Sequence, residues 1–314
     1  MPTPRATTPS RSAPGCRRSS ARGAATRSWI RPWSSGSPTP GRTYGWCCWT
    51  TTIGWPAAAT VSGRRRLHSW GSRVAADAPL VSVVIPVLRD GAELERLLVG
   101  LVGQPLAGSG DDGGCEVIVV NGDEADPAIP PLRTRFAAVR WATAEPGRAQ
   151  QMNAGARLAS GAWLLFLHAD TCPAPAWLDE IRRIDAEPRN VAGALRLTLR
   201  SRDWRARIVE RGVAWRVRWM GLPYGDQGIF VRRSAFERIG GYRPLPLMED
   251  VDLVRRLRRR GRMAFSRVPI LASARRWEHD GWLRRTGLNL LLLLAYAAGV
   301  PPARLARAYY GAPR

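Results

Sequence analysis

Apolar runs too short and too β-branched for helices alternate with helix-periodic segments along most of this chain, and that alternation restricts the fold more than anything else. LVSVVIPVL (residues 80–88), CEVIVVNG (115–122) and AWLLFLHAD (162–170) each read as a strand buried on both faces. AAVRWATA (137–144) reads as a further strand. Between and after them, DGAELERLLVGLV places Leu94, Leu97, Leu98 and Leu101 on one helical face, GRAQQMNAGARLAS reads as a helix ending near Gly161, and APAWLDEIRRI reads as another helix. Strand and helix in alternation predict an α/β fold with a doubly wound, mostly parallel sheet. Such sheets hold ligands beyond the carboxyl ends of their strands, which is where His168 and Asp170 fall.

The chain is 314 residues long with a net charge of +23. All 48 basic residues are arginine, in a background rich in Ala, Gly and Pro. That pattern fits a GC-rich coding sequence, so the charge alone does not argue for a nucleic-acid partner; it also suits a protein that handles diphosphates or lies near anionic lipid. A nucleic-acid interface needs basic residues clustered with exposed aromatics, and only the first 78 residues have that composition. The five cysteines, Cys16, Cys47, Cys48, Cys115 and Cys172, show no C-x-x-C spacing, which excludes a zinc module or a disulfide scaffold and makes a reducing cytoplasm the default. No apolar signal-like region follows the N-terminus.

Composition breaks near residue 78. Residues 1–78 carry twelve Arg, six of the fourteen Trp and one acidic residue, Asp77, and show neither helical nor strand period. A stretch such as RSAPGCRRSSARGAATRS cannot bury a core. Residues 1–78 are therefore expected to be a disordered or mis-translated extension, residues 79–272 the α/β domain and residues 273–314 a C-terminal helical segment. In that last segment, DGWLRRTGLNLLLLLAYAAGV reads as a helix broken at Pro301 and Pro302, followed by a shorter basic helix. Two placements are open for it: packed against the sheet or lining an acceptor groove, or lying in a membrane interface with Arg284, Arg285, Arg304 and Arg307 at its flanks. Its longest apolar run falls short of the ~20 residues a bilayer span takes.

Four constellations carry candidate chemistry. Asp170 at a strand's carboxyl end suits a hard divalent cation, or equally a helix N-cap for the segment at Pro173. His168 beside it is a metal or phosphate neighbour, or a satisfied strand-end histidine. In PLMEDVDLVRRLRRRG (246–261), Glu249 and Asp250 open a helix with Val251, Leu253, Val254 and Leu257 inward. The acids either complement the helix dipole, or Asp250 is a general base. In GLPYGDQGIFVRRSAFERIGGY (221–242), Asp226 and Gln227 sit between glycines where backbone can approach a ligand, or form an ordinary turn. In PGRAQQMNAG (146–155), Gly147 and Arg148 at a helix start offer an anion cradle, with Asn153 one turn on.

These pieces, in this order, resemble family 2 glycosyltransferases of the GT-A fold. RAQQMNAGA, LLFLHADT, GDQGIFVRR, PLMEDVDL and ARRWEHDG are most similar to the bacterial subgroup named for arsenosugar biosynthesis, described alongside staphyloxanthin-type carotenoid glucosyltransferases. The resemblance covers roughly residues 79–310. It implies a nucleotide-sugar-binding sheet whose first strand ends at Pro86, near base and ribose. It places Asp170 on the last acid of the metal motif, with His168 where the family has the first. Asp250 then falls on the catalytic base of the Glu249–Asp250 pair, Asp226 and Gln227 on the segment touching acceptor and donor, and His279 on a late metal ligand. Asn121 stands where the family has a nucleotide-binding Asp, with Asp123 two positions on as a substitute. The implied activity is transfer of a sugar from a nucleotide-diphosphate sugar, a UDP-sugar favoured, to a small or lipid-like acceptor, with Mn²⁺ or Mg²⁺ and inversion. The implied location is cytoplasmic, with peripheral membrane contact for a lipid-like acceptor. The competing class is a non-catalytic nucleotide-sugar binder, for which Asn121 and the single-carboxylate metal motif speak.

Intact-mass and peptide mapping of the native protein tests the compositional break. The N-terminus is expected near residue 78; a peptide spanning residues 17–60 overturns that expectation.

Overall fold

In a computed structural model of the chain, residues 78–102 and 114–310 are described. The extension expected over residues 1–78 lies outside them but for its last position.

The chain runs β1 (Val81–Val87), α1 (Gly91–Val102), β2 (Cys115–Asn121), α2 (Ile129–Arg135), β3 (Arg140–Thr143), α3 (Arg148–Leu158), β4 (Trp163–Phe166), β5 (Thr171–Pro173), α4 (Trp177–Asp185) and β6 (Asn190–Arg200). It continues through α5 (Trp204–Met220), a 3₁₀ turn (Gly225–Gln227), β7 (Ile229–Arg232), α6 (Arg233–Arg238), α7 (Glu249–Arg258), β8 (Arg262–Ser273), α8 (Arg275–Asp280), α9 (Trp282–Ala297) and α10 (Pro302–Tyr310).

Eight strands form one sheet in the order β3-β2-β1-β4-β7-β6-β8-β5. β3, β2, β1 and β4 are mutually parallel, as the alternation predicts. Beyond β4 the sheet is mixed rather than doubly wound throughout: β7 runs antiparallel to both β4 and β6, β6 is parallel to β8, and β5 is antiparallel to β8. This is an α/β architecture of the kind that the resemblance implies.

β1 shows why the central runs carry no polar alternation. Val81, Val83, Ile85 and Val87 pack on one side with Leu94, Leu97, Leu98 and Leu101 of α1 and Trp177 and Ile181 of α4. Val84 packs on the other with Met152 of α3, Phe236 of α6 and Leu253 and Leu257 of α7. A strand covered by helices on both faces has no solvent side, so both residue parities are apolar. Ser82 is the exception, and its hydroxyl is satisfied: it donates to Glu116 Oε1 (2.7 Å) and accepts from Gly161 N (2.8 Å). Glu116 also accepts from Ser160 N and Oγ. That network turns the chain after Leu158, so α3 stops three residues short of Gly161.

α3 lies close on the sheet because Gly155 has no side chain. A Cβ there would stand 2.4 Å from Val84 Cγ1 and 3.1 Å from Val120 Cγ2. Gly155→Val is expected to cost about 1–3 kcal/mol, the usual scale of overpacking a filled core, read as a lower denaturant midpoint. An unchanged midpoint would mean that α3 stands further from β1 and β2.

Candidate active site

A cavity of about 730 Å³ opens at the carboxyl ends of β1 and β4. β4 is the strand where the parallel half meets the mixed half, so the side chains that follow it stand between two differently directed sets of loops. The chain leaves β4 at Phe166 and turns, with His168 O accepting from Thr171 N (3.1 Å) and Thr171 Oγ1 (2.7 Å). His168 and Asp170 on this turn both line the cavity.

The opposite wall is the start of α7. Met248 precedes it in the left-handed region at φ 65, an uncommon conformation for a residue with a side chain. It delivers Glu249 and Asp250 to the cavity, while Val251, Leu253, Val254 and Leu257 are buried behind them as their spacing predicts. Asp250 is held at both oxygens: Oδ2 accepts from Gly225 N (2.7 Å) and Oδ1 from Val251 N (2.7 Å). Gly225 is needed for this approach, since a Cβ would come within 2.8 Å of His168 Nε2.

Behind Gly225 the 3₁₀ turn is braced. Gln227 is buried, donates from Nε2 to Leu195 O (3.2 Å) and accepts at Oε1 from Tyr224 N (3.2 Å) and Arg216 Nη2 (3.3 Å). The Arg216 guanidinium sits 3.5 Å from the centre of the Tyr224 ring. Gln227 therefore shapes the turn and does not reach the cavity, whereas its neighbour Asp226 does.

Charge is concentrated here. Burial, with Asp250 beside it, raises the Glu249 carboxyl well above the usual range; Arg148, 3.8 Å away, works against that. Burial likewise lifts Asp226 to about 6, with Arg216 opposing and Asp250 and Asp170 adding to the rise. Asp226 Oδ1 is buried with no hydrogen-bond partner among the described residues. His168 is pushed down to about 3 by its enclosure and by Arg148 and Arg276, so it is neutral and offers a lone pair. Asp90, also lining the cavity, is raised by burial, with Arg275 opposing and Asp170 adding.

The other expected residues divide cleanly. Pro86 and Arg148 line the cavity, with Gly147, Gln150 and Gln151 at the N-terminus of α3. Asn121 is buried at the end of β2 and spends its amide on the turn to Asp123, accepting from Asp123 N (3.1 Å) and donating to Asp123 O. Asp123 pairs with Arg89 (2.6 Å). Asn153 donates to Tyr242 O (2.8 Å) and accepts from Tyr242 N (2.9 Å), tying α3 to the segment before α7. None of these three lines the cavity. His279 does not either: its side chain is 89% exposed and its Nδ1 lies 2.8 Å from Asp280 Oδ1. It sits on the outer side of α8, whose Arg276 and Trp277 face inward instead.

The C-terminal helices complete the cavity with residues that the sequence did not single out for it. Arg276, Trp277, Arg285, Tyr309 and Tyr310 line its far side. Arg276 Nη1 donates to Tyr309 Oη (3.1 Å), Arg285 donates to the same hydroxyl, and Arg285 Nε is buried without a partner among the described residues. Arg276 and Trp277 lie in the ARRWEHDG motif and Tyr224 in GLPYGDQG, but nothing local marked them, Asp90, Arg285, Tyr309 or Tyr310 as sharing a cavity, because they come from elements distant in sequence.

Among the described residues no three His, Cys, Asp or Glu side chains form a group that could hold a metal ion by themselves. The donor set fits a cation shared with a ligand: Asp170, a neutral His168 and the partnerless Asp226 oxygen all belong to one acid-rich cavity. Mg²⁺ in particular is commonly held by one or two carboxylates plus substrate phosphates.

The profile of the Glycosyl transferase family 2 matches residues 82–244, half of the chain. The chain belongs to that family. No curated protein matches it. Among solved structures it is similar to the mannosyltransferase PcManGT from Pyrobaculum calidifontis in complex with GDP-Man and Mn²⁺, at 20% identity and TM-score 0.54, covering 76% of this chain and 71% of that one. It is also similar to S. aureus TarS 1-349 in complex with UDP-GlcNAc, at 14% identity and TM-score 0.48, covering 62% of this chain and 58% of that one. The likeness to the mannosyltransferase, at 20% identity, shows the fold alone. The chain thus spans under two thirds of that TarS chain.

The raised Asp226 carboxyl makes stability depend on pH. Between about 4 and about 6 the folded state holds a proton that the unfolded state has lost, so stability falls as pH rises through that window. Glu249 is raised too and extends the fall upward. Asp226→Asn is expected to flatten the fall in thermal midpoint between pH 4 and 6. Parallel curves for variant and wild type would remove Asp226 as its source.

Proposed function

We propose that the chain transfers a sugar from a nucleotide-diphosphate sugar to an acceptor hydroxyl, with Asp250 as the general base. The observation that carries this reading is Asp250 itself. In a family 2 chain it stands in the cavity at the sheet's carboxyl ends, held at both oxygens by backbone N–H groups. A carboxylate so held cannot rotate away from an acceptor proton, and positioning of this kind is what general-base catalysis needs. The donor class is supported by the family and by the GDP-Man in the mannosyltransferase of similar fold.

The division of labour follows from the geometry. Arg148 and the N-terminus of α3 offer positive potential for the diphosphate. Asp250 removes the acceptor proton as the acceptor oxygen attacks the anomeric carbon from the face opposite the leaving group, so the configuration inverts. Glu249, beside Asp250 and 3.8 Å from Arg148, is raised toward its protonated form by burial. Tyr224, Trp277, Tyr309 and Tyr310 supply flat walls for sugar and acceptor and keep water out. Asp170, with His168 beside it, is the position that would hold Mn²⁺ or Mg²⁺ against the donor phosphates. Such an ion would neutralise charge on the leaving diphosphate.

The finer resemblance, to the arsenosugar-type and staphyloxanthin-type subgroup, leaves a carboxylate acceptor as a second reading. Arg276 and Arg285 meeting at Tyr309 favour it, since two guanidinium groups suit an anionic acceptor. Such an acceptor arrives ionised and needs orientation more than deprotonation.

Asp250→Asn separates the readings. A loss in kcat of about 10²-fold or more, the usual scale for a general base, is expected for a hydroxyl acceptor; a mild loss points to the carboxylate. Thermal shift of the wild-type chain against UDP-, GDP-, dTDP- and CDP-sugars, with and without Mn²⁺, is expected to show a metal-dependent rise for one donor. No rise with any donor would count against the transferase and leave the chain as a relative without donor binding.

A further inference from the structure

α5 is apolar on two opposite sides. Ala206, Val209, Val213 and Val217 face the body of the protein, where Ala206, Val209 and Val213 join a cluster with Trp282 of α9. Trp204, Ile208, Trp215 and Trp219 point the other way, and the three indoles are 69%, 62% and 69% exposed. At about 100° per residue these four fall within an arc of about 60°. Three tryptophans and an isoleucine in one solvent-facing stripe cost free energy in water and are not a chance scatter of surface apolar residues.

The rim of the stripe is cationic. α5 contains Arg205, Arg207, Arg211, Arg216 and Arg218 against a single acid, Glu210. Arg205 is paired with Asp203, Arg207 with Glu210, and Arg216 is stacked on Tyr224. Arg211 and Arg218, which border the tryptophans, are exposed and have no acidic partner among the described residues. On the neighbouring helix α9, Leu283, Leu290 and Leu294 form a second exposed stripe, on the side away from the cavity-lining Arg285, Asn289 and Leu292.

We propose that the α5 face is a docking surface for an anionic phospholipid bilayer, with Trp204, Ile208, Trp215 and Trp219 entering the headgroup–acyl boundary and Arg211 and Arg218 meeting lipid phosphates. Indoles are at home in that boundary, and unpaired arginines beside them complement its negative potential. Attachment is monotopic, since among the described residues no helix is long and apolar enough to cross a membrane. The surface adjoins the cavity without lining it. α5 runs directly into Tyr224 and the Asp226 turn, and α9 carries cavity residues on one side and the leucine stripe on the other. Docking there brings the Tyr224 and α9 side of the cavity near the bilayer. The surface stands independently of the transferase reading.

The test is co-flotation of the full chain with equimolar phosphatidylcholine–phosphatidylglycerol vesicles, against vesicles of phosphatidylcholine alone. Wild type is expected to float with the anionic vesicles. Trp215→Ser/Trp219→Ser is expected to partition at least about tenfold more weakly, since each change removes a large apolar side chain from the interface. Its thermal midpoint and its donor-induced shift are expected to stay those of wild type. Arg211→Glu/Arg218→Glu provides an independent loss on anionic vesicles if the tryptophan variant proves unstable. Because residues 1–78 carry Arg and Trp of their own, the comparison of variants decides. Equal flotation of wild type and both variants overturns the proposal, as does wild type remaining at the bottom. A wild-type dimer that the tryptophan changes make monomeric, without flotation, overturns it in favour of a second copy.

Discussion

The hydrogen bond from Gly225 N to Asp250 Oδ2 is the contact on which the rest of the site depends. It joins the turn that follows α5 to the first residues of α7, two segments that the sheet brings together from 25 positions apart. It also brings His168 against the same turn, because Gly225 leaves no side chain to hold the imidazole off. β4, the 3₁₀ turn and α7 thereby converge on one point, with Gln227, Arg216 and Tyr224 bracing that point from behind. A methyl group at residue 225 would push on His168 and loosen the hold on Asp250 together.

Charge follows from this convergence. Bringing Asp170, Asp226, Glu249 and Asp250 to one half-enclosed cavity is unfavourable in water-poor surroundings unless protons, cations or a ligand offset it. Arg148 is near enough to Glu249 to offset part, and the raised carboxyls of Glu249 and Asp226 show the remainder. A cavity that keeps such a cluster and also leaves an aspartate oxygen without a partner is built around something polar that enters it. The low value of His168 belongs to the same arrangement, since the imidazole is enclosed and has two arginines nearby.

Much of this was legible in the sequence, and the exceptions have physical causes. β1, β2 and β4 were readable because strands buried on both faces need unbroken apolar runs, and α7 because its apolar spacing matches one helical face. β6 and β8 were not, because β6 carries Arg196 among its apolar residues and β8 mixes Arg262 and Arg267 with Ala and Ser. α5 was hidden for another reason. A helix apolar on both sides and studded with arginine has no single hydrophobic face to detect. Asn153 and Gln227 looked like ligand contacts, yet both serve backbone groups, Asn153 those of Tyr242 and Gln227 those of Tyr224 and Leu195. An amide two hydrogen bonds deep in a turn looks the same in sequence as one aimed at a substrate.

Residue type and order by themselves determined the parallel α/β half and the family and singled out Asp170, Asp226, Glu249 and Asp250 as candidates, because buried strands and a motif of fixed spacing leave direct compositional traces. Which of those residues share a cavity was decided only by the tertiary structure. Asp90, Tyr224, Arg276, Arg285 and Tyr309 come from a loop after β1, the segment between α5 and the 3₁₀ turn, and α8 to α10, and no local pattern encodes a meeting of such distant segments. The same physics demoted His279, whose motif was present but whose helix turns it to solvent. Spacing places a side chain on an element, whereas packing sets the direction in which that element faces.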